Sequence, residues 1–172
     1  MGNEESLTLD NLNIILIGRT GVGKSSLINY ILDDNLAKEG NGSPCTKEIK
    51  PFTKKGSHLT LYDTPSFGIN KSFIASFKKQ IFNIIDEQSK TKDANKLIHC
   101  IWYCIDSNKN KIEEIEKEFI SIFKNIPIII VLTKSDNLDN ANELMRQIEL
   151  QRINVKYIVP IVAKKTQNQN PF

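Results

Sequence analysis

The chain has 172 residues, of which 40% are hydrophobic, and its formal net charge is +3. This length is typical of one domain with a sizeable core, and the charge is too small to favour a nucleic-acid partner. The three cysteines show no spacing typical of a disulfide framework, which indicates a reducing, cytoplasmic compartment. The longest apolar runs, 98–105 and 126–132, are too short to span a bilayer.

Apolar runs alternate with helical periodicities, which predicts an α/β fold: a doubly wound, mostly parallel six-stranded sheet with helices on both faces. A lysine-rich segment, 47–54, predicts one antiparallel edge strand, because exposed edges favour lysine. The predicted strands are 12–17, 47–54, 58–62, 97–105, 127–132 and 155–162. The predicted helices are 24–32, 71–87, 112–123 and 138–148.

The two ends of the chain differ from the middle. We interpret 1–10 as a flexible tail, 11–165 as one domain and 166–172 as a polar tail without the helix that usually closes such a sheet. We therefore expect that this chain is a piece of a longer protein or that its carboxyl-terminal end was remodelled. The first residues fit the myristoylation pattern M-G-x-x-x-[ST] at Gly2, but a short disordered tail explains them as well. One acyl chain would give only marginal membrane anchoring.

The most informative motif is the segment 18–25, G-R-T-G-V-G-K-S, which fits the phosphate-binding P-loop pattern G-x-x-x-x-G-K-[ST]. Its glycines let successive backbone N–H groups point at phosphate oxygens, and the following helix adds its positive dipole end. Lys24 supplies charge to the β- and γ-phosphates, and the Ser25 hydroxyl can ligate Mg²⁺. The residues predicted to bind the phosphates are Gly18, Arg19, Thr20, Gly21, Val22, Gly23, Lys24, Ser25 and Ser26.

A second motif is Asp63-Thr64-Pro65, directly after the predicted strand 58–62. An acidic residue at the carboxyl end of a strand can hold a Mg²⁺-bound water, and ligands of parallel sheets bind at these strand ends. Asp63 is therefore predicted to share Mg²⁺ with Ser25. The alternative interpretation is an ordinary Asp-Thr-Pro turn.

A third motif, Thr133-Lys134-Ser135-Asp136, follows the strand 127–132 and could by itself be a helix cap. At this place the chain resembles the translation-factor-related P-loop GTPases, whose base-specificity motif is [NT]-K-x-D. The resemblance implies that Asp136 accepts hydrogen bonds from guanine N1 and N2, while the stem of Lys134 packs along the base. Adenine has no donors there, which would leave the carboxylate unpaired. GTP or GDP with Mg²⁺ is therefore the implied cofactor.

The resemblance covers about residues 11–165 and implies further site residues. Val162-Ala163-Lys164 is similar to the family's S-A-K loop, whose alanine N–H contacts guanine O6. Thr46 is similar to the switch-I threonine, which completes the Mg²⁺ shell and senses the γ-phosphate; Ser43 and Thr53 are the alternatives. The implied catalytic residues are Lys24 and Thr46, and the implied metal residues are Ser25, Thr46 and Asp63.

Two positions depart from the family's switch-II pattern, D-x-x-G. Ser66 stands where glycine would be; it keeps a backbone N–H for the γ-phosphate but loses freedom at positive φ. Phe67 stands where Ras-like proteins have the glutamine that orients the attacking water, as an apolar residue does in Era-like and septin-like GTPases. Slow intrinsic hydrolysis is the expected consequence. Gly21 replaces the asparagine by which some Era-like members hold K⁺, which closes that route.

The P-loop run also resembles septins, immunity-associated GTPases and chloroplast import receptor GTPases. Several of these pair their G domains across the nucleotide, so the resemblance implies a homodimer that supplies a missing group in trans. Three functions compete: a GTPase switch with a protein effector, an assembly module with structural nucleotide, and an ATP-using enzyme, against which Asp136 argues. We expect no nucleic-acid partner, because the sequence shows no accessory binding domain.

Overall fold

Strands and helices alternate along the chain in a computed structural model. It describes residues 9–33, 36–37, 48–67 and 71–163, with no side chains for 71–73. The strands are β1 (Leu12–Gly18), β2 (Lys50–Thr53), β3 (Leu59–Asp63), β4 (Cys100–Asp106), β5 (Ile128–Thr133) and β6 (Tyr157–Pro160). The helices are α1 (Lys24–Leu32), α2 (Lys71–Ser89), α3 (Glu114–Ser121) and α4 (Leu138–Leu150), and a 3₁₀ turn spans Ala94–Lys96.

The strands form one six-stranded sheet in the order β2-β3-β1-β4-β5-β6. β2 pairs antiparallel with β3, and every other neighbouring pair is parallel. This confirms the predicted mostly parallel sheet with one antiparallel edge strand. The order also places the carboxyl ends of β1, β3, β4 and β5 at a common edge, where a ligand of such a sheet binds.

The core lies on both faces of the sheet because the central strands are apolar on both sides. In β1, Ile14 and Leu16 pack in the cluster that contains α1, whereas Ile15 and Ile17 pack in the larger cluster that contains α2, α3 and α4. The predicted arrangement of helices on both faces is thereby confirmed. β1 is held between its neighbours in a register that places Gly18 beside Cys104.

Some element boundaries differ from the predicted ones. β4 begins at Cys100, not at 97, because the preceding residues turn: the Asn13 amide donates to the carbonyls of Asn95 (2.7 Å) and Leu97 (2.8 Å). Both β2 and β6 are shorter than the segments that predicted them, because only part of each segment pairs with its neighbouring strand. Among the described helices, none is long and apolar enough to cross a bilayer.

The cysteines within the described ranges pack as small apolar residues, as predicted. Cys104 is fully buried and Cys100 is half-buried, and neither is in a disulfide. Burial raises the pKa of the Cys104 thiol to about 12, so it stays protonated and unreactive near neutral pH. Cys45 lies outside the described residues, as do both predicted tails except for Leu9 and Asp10.

Candidate functional site

The predicted P-loop connects β1 to α1. Gly18 is required by packing, because a Cβ there would lie 2.5 Å from the Cys104 carbonyl oxygen of β4. Gly21 and Gly23 have φ values of +77° and +94°, a left-handed conformation that glycine adopts without strain. Gly23 is the N-cap of α1 and makes no side-chain cap, so the first N–H groups of the helix can bind an anion. The loop thus has the backbone shape of a phosphate cradle.

Lys24 is the first residue of α1, and it is only 4% exposed because its side chain folds back over the loop. Its ammonium donates to the Gly18 carbonyl (2.9 Å) and the Ser66 hydroxyl (2.9 Å), with the Arg19 carbonyl at 3.4 Å. Burial lowers the pKa of Lys24, while the nearby Cys104 and Asp63 oppose that shift. A bound phosphate would oppose it further, because an adjacent anion favours the charged form.

Ser25 and Asp63 form the second part of the site, at the ends of the P-loop and of β3. The Ser25 hydroxyl donates to Asp63 Oδ2 at 3.1 Å, and Asp63 is 1% exposed. A hydroxyl and a carboxylate oxygen are ligands that fit Mg²⁺, which usually takes few protein ligands and completes its shell with waters and substrate phosphates. These two residues would hold the metal, which neutralises charge on the β- and γ-phosphates when bound.

Thr46, the third predicted metal residue, lies outside the described residues, and so does Ser43. Thr53 is described: it pairs with Thr60 across the β2–β3 ladder, and their hydroxyl oxygens are 2.9 Å apart. Thr60 is three residues from Asp63 along β3, which corresponds to about 10 Å. This geometry does not favour Thr53 as the residue that completes the Mg²⁺ shell, and the role of Thr46 stays a prediction.

The segment 133–136 follows β5 at the same edge of the sheet. Lys134 has φ +56°, which is uncommon for lysine, and the Ser107 hydroxyl holds this backbone by donating to the Lys134 carbonyl at 3.0 Å. Such outliers cluster at binding sites. Lys134 and Asp136 are exposed, as residues that contact a base must be, whereas Ser135 is buried and donates to the Leu132 carbonyl.

Several predicted site residues use their side chains for contacts within the protein. The Thr133 hydroxyl contacts the Val22 and Ile105 carbonyls, so it links β5 to the P-loop. The side chain of Val22 is buried in the cluster around α1. Ala163 is half-buried beside the same cluster, and Lys164 lies outside the described residues. Thr133 and Val22 therefore shape the site.

Phe67 packs in the core, although the motif places it beside the nucleotide. Its ring is 0% exposed and stacks on Phe119 with centroids 5.1 Å apart, and it also contacts Phe77 and Tyr103. Its carbonyl accepts a hydrogen bond from the Thr20 N–H at 3.3 Å, which ties the β3 loop to the P-loop. The Phe67 side chain therefore supplies packing and no polar group.

Two groups of site residues were not predicted. Asp106 ends β4 and accepts a hydrogen bond from Lys134 Nζ at 2.7 Å. Burial raises the pKa of Asp106, but hydrogen bonds from Lys134 and Asn108 outweigh burial and lower the pKa below its usual value. The sequence contained a signal for this residue, because Asp106 lies at the carboxyl end of β4 just as Asp63 lies at the carboxyl end of β3. This pair positions the Lys134 side chain at the carboxyl ends of β4 and β5.

The second unpredicted group joins the P-loop to α3. Arg19 forms an ion pair with Glu113, the N-cap of α3, and Glu113 forms a capping box with Glu116. Lys109 bridges the two carboxylates at 3.4 Å and 3.1 Å, and the Glu116 side chain is fully buried. The Arg19 guanidinium is thus engaged by α3, so Arg19 contributes its backbone to the loop.

These features define a class. A P-loop after β1, a carboxylate after β3 and a T-K-S-D segment after β5 converge at one edge of a parallel sheet, which is the arrangement of a P-loop nucleotide-binding protein.

Comparison with known proteins narrows this class to a family. The sequence model described as "50S ribosome-binding GTPase" matches residues 13–134. The probable GTP-binding protein EngB of Thermoanaerobacter pseudethanolicus is 35% identical over 153 residues, 86% of this chain and 75% of that protein. Septin-9 of Rattus norvegicus is 27% identical over 150 residues, 73% of this chain and 27% of that protein. The chain belongs to this family of P-loop GTPases, of the type that includes EngB, Era and the septins.

Solved structures share the fold. Era of Aquifex aeolicus superposes with a TM-score of 0.68 and 21% identity over 88% of this chain, which spans half of the Era chain. A second Era structure, with a TM-score of 0.64 and 20% identity over 91% of this chain and 52% of that one, is a complex with 16S ribosomal RNA. A protein with this fold can therefore bind RNA, and the absence of a nucleic-acid partner stays a prediction for this chain. As a family member, the chain is a GTPase that binds GTP and GDP.

Proposed function

We propose that the chain is a GTP-dependent molecular switch whose intrinsic hydrolysis is slow. The observation that carries this proposal is the position of Phe67, whose ring is buried between α2 and α3. A group that orients the attacking water must be polar and must reach the γ-phosphate. Phe67 meets neither requirement, and the Arg19 guanidinium is engaged by Glu113.

Among the residues that the structure describes, those that remain near the P-loop bind charge but do not activate water. Lys24 and Ser25 are donors, and Asp63 is already an acceptor of the Ser25 hydroxyl. Positioning and charge neutralisation alone leave a P-loop GTPase slow, on the order of 10⁻³ s⁻¹ or less. Slow turnover keeps GTP bound long enough for an effector protein to recognise that state.

We propose that a second copy of the chain supplies the missing group across the nucleotide. Lys134 and Asp136 are exposed, so the base side of the site lies at the surface where a partner could cover it. The test is the rate of phosphate release per molecule over a wide range of protein concentration. A rate that rises with concentration supports pairing, and a flat line contradicts it.

The alternative is an assembly module in which the nucleotide is structural. Size measurement with GDP and with a non-hydrolysable GTP analogue separates the two functions. A switch changes its oligomeric state or shape between the nucleotides, whereas an assembly module gives the same stable oligomer with both. Inclusion of ATP in the same experiment tests the ATP-using alternative.

We also propose a reducing, cytoplasmic location, since the described cysteines are unbonded, with membrane association only if Gly2 is acylated. Cell fractionation together with the mass of the N-terminal peptide tests both statements.

A further inference from the structure

We infer that the Ser66 hydroxyl is a specificity-determining group that competes with the γ-phosphate for Lys24. This competition weakens the binding of GTP relative to the binding of GDP. The inference rests on the proposed function, because it concerns how the same site distinguishes the two nucleotides. It starts from the hydrogen bond between Lys24 Nζ and Ser66 Oγ, which is 2.9 Å long.

An ammonium group has three N–H donors. Those of Lys24 point to the carbonyls of Gly18 and Arg19 and to the hydroxyl of Ser66. Lysine in a P-loop reaches both the β- and the γ-phosphate. A phosphate oxygen that binds this ammonium must therefore replace one of the three partners, and GTP must replace one more than GDP.

The three partners differ in how easily they are replaced. The Arg19 carbonyl is the weakest, at 3.4 Å, so the β-phosphate of either nucleotide displaces it at little cost. The Gly18 carbonyl belongs to the backbone of β1, which is held in place by its pairing with β4. The Ser66 hydroxyl is on a rotatable side chain and is the partner that the γ-phosphate displaces.

The competing hydroxyl is held in place by its neighbour. Phe67 is fully buried in the aromatic cluster, and its carbonyl accepts the Thr20 N–H at 3.3 Å. The backbone at Ser66 is therefore fixed beside the P-loop. The hydroxyl is thus already positioned to accept the hydrogen bond from Lys24. A hydrogen bond to a charged group in a buried site is among the stronger ones, which makes the competition measurable.

The test measures the dissociation constants of GDP and of a non-hydrolysable GTP analogue by displacement of a fluorescent nucleotide. Ser66→Ala keeps the Cβ and removes only the hydroxyl. We expect it to tighten binding of the GTP analogue by about tenfold, the size of one charge-assisted hydrogen bond, and to leave GDP almost unchanged. Ser66→Thr restores the hydroxyl and should return the ratio to that of the wild type.

Two further variants keep the test decisive. Ser66→Gly also lacks the hydroxyl and gives a second measurement should Ser66→Ala fold poorly. Ser57→Ala removes a hydroxyl that, among the described residues, accepts a hydrogen bond from the Leu59 N–H in the turn before β3, and it should change neither constant. Weaker binding of the GTP analogue to Ser66→Ala, or an equal shift for both nucleotides, would overturn the inference alone. Failure of the wild type to bind either nucleotide would overturn the proposed function as well.

Discussion

Replacing Phe67 with alanine removes a fully buried ring that contacts three other rings. Its centroid lies 5.1 Å from that of Phe119, 5.8 Å from that of Phe77 and 6.4 Å from that of Tyr103. Truncation of a buried phenylalanine costs about 3–5 kcal/mol, and lost aromatic contacts favour the upper part of that range. We expect a loss of about 4 kcal/mol from a domain stability of about 5–15 kcal/mol.

The assay is equilibrium unfolding in urea at one saturating GDP concentration, because bound nucleotide itself stabilises the native state. Phe82→Ala is the matched control: its side chain is 42% exposed and stacks on one ring, Phe123, at 5.5 Å. We expect a loss of about 1 kcal/mol for that control. Equal losses for the two variants, or a stable Phe67→Ala with faster GTP hydrolysis, would refute the placement of Phe67 in the core.

Three further predictions concern the strand ends. Gly18→Ala should destabilise the fold by about 1–3 kcal/mol, measured by urea unfolding, because its Cβ would lie 2.5 Å from the Cys104 carbonyl; unchanged stability would contradict this. Asp106→Asn should make the free energy of unfolding depend less on pH at acidic pH, as measured by urea unfolding over a range of pH. The folded-state pKa of Asp106 is lowered, so its contribution with Lys134 is present above the ordinary pKa of about 3.9 and lost as pH falls below it. The wild type should therefore lose more stability than the variant in that range, and parallel profiles would contradict it. Asp136→Asn should weaken GDP binding by about 10–100-fold in a displacement assay, since the amide loses an acceptor for guanine; unchanged affinity would refute its role.

The sheet and the phosphate side of the site could be predicted because each depends on local sequence. The apolar run 12–17 followed by G-R-T-G-V-G-K-S has one good explanation, a buried strand that leads into a P-loop. Asp63 and the segment 133–136 lie at the carboxyl ends of β3 and β5, as the sequence predicted, and ligands of parallel sheets bind at such ends.

The parts that could not be predicted depend on tertiary contacts. The ion pair between Arg19 and Glu113 joins residues 94 positions apart, and no local pattern links them. The turn before β4 exists because the Asn13 side chain binds the Asn95 and Leu97 carbonyls from a neighbouring strand. An apolar run alone could not show where that strand begins.

Phe67 depends on both local sequence and tertiary contacts. Its residue type predicted that it could not orient water, but its burial became visible only when α2 and α3 were placed around it. The bond between Ser66 and Lys24 likewise required the β3 loop to be positioned against the P-loop.

The most direct test is the single-turnover rate of GTP hydrolysis by the wild-type chain at a concentration low enough to keep it monomeric. With Phe67 in the core and Arg19 paired to Glu113, the rate should be on the order of 10⁻³ s⁻¹ or less. A monomer that hydrolyses GTP at about 1 s⁻¹ or faster would contradict this, because such rates require a group that orients water or stabilises the transition state.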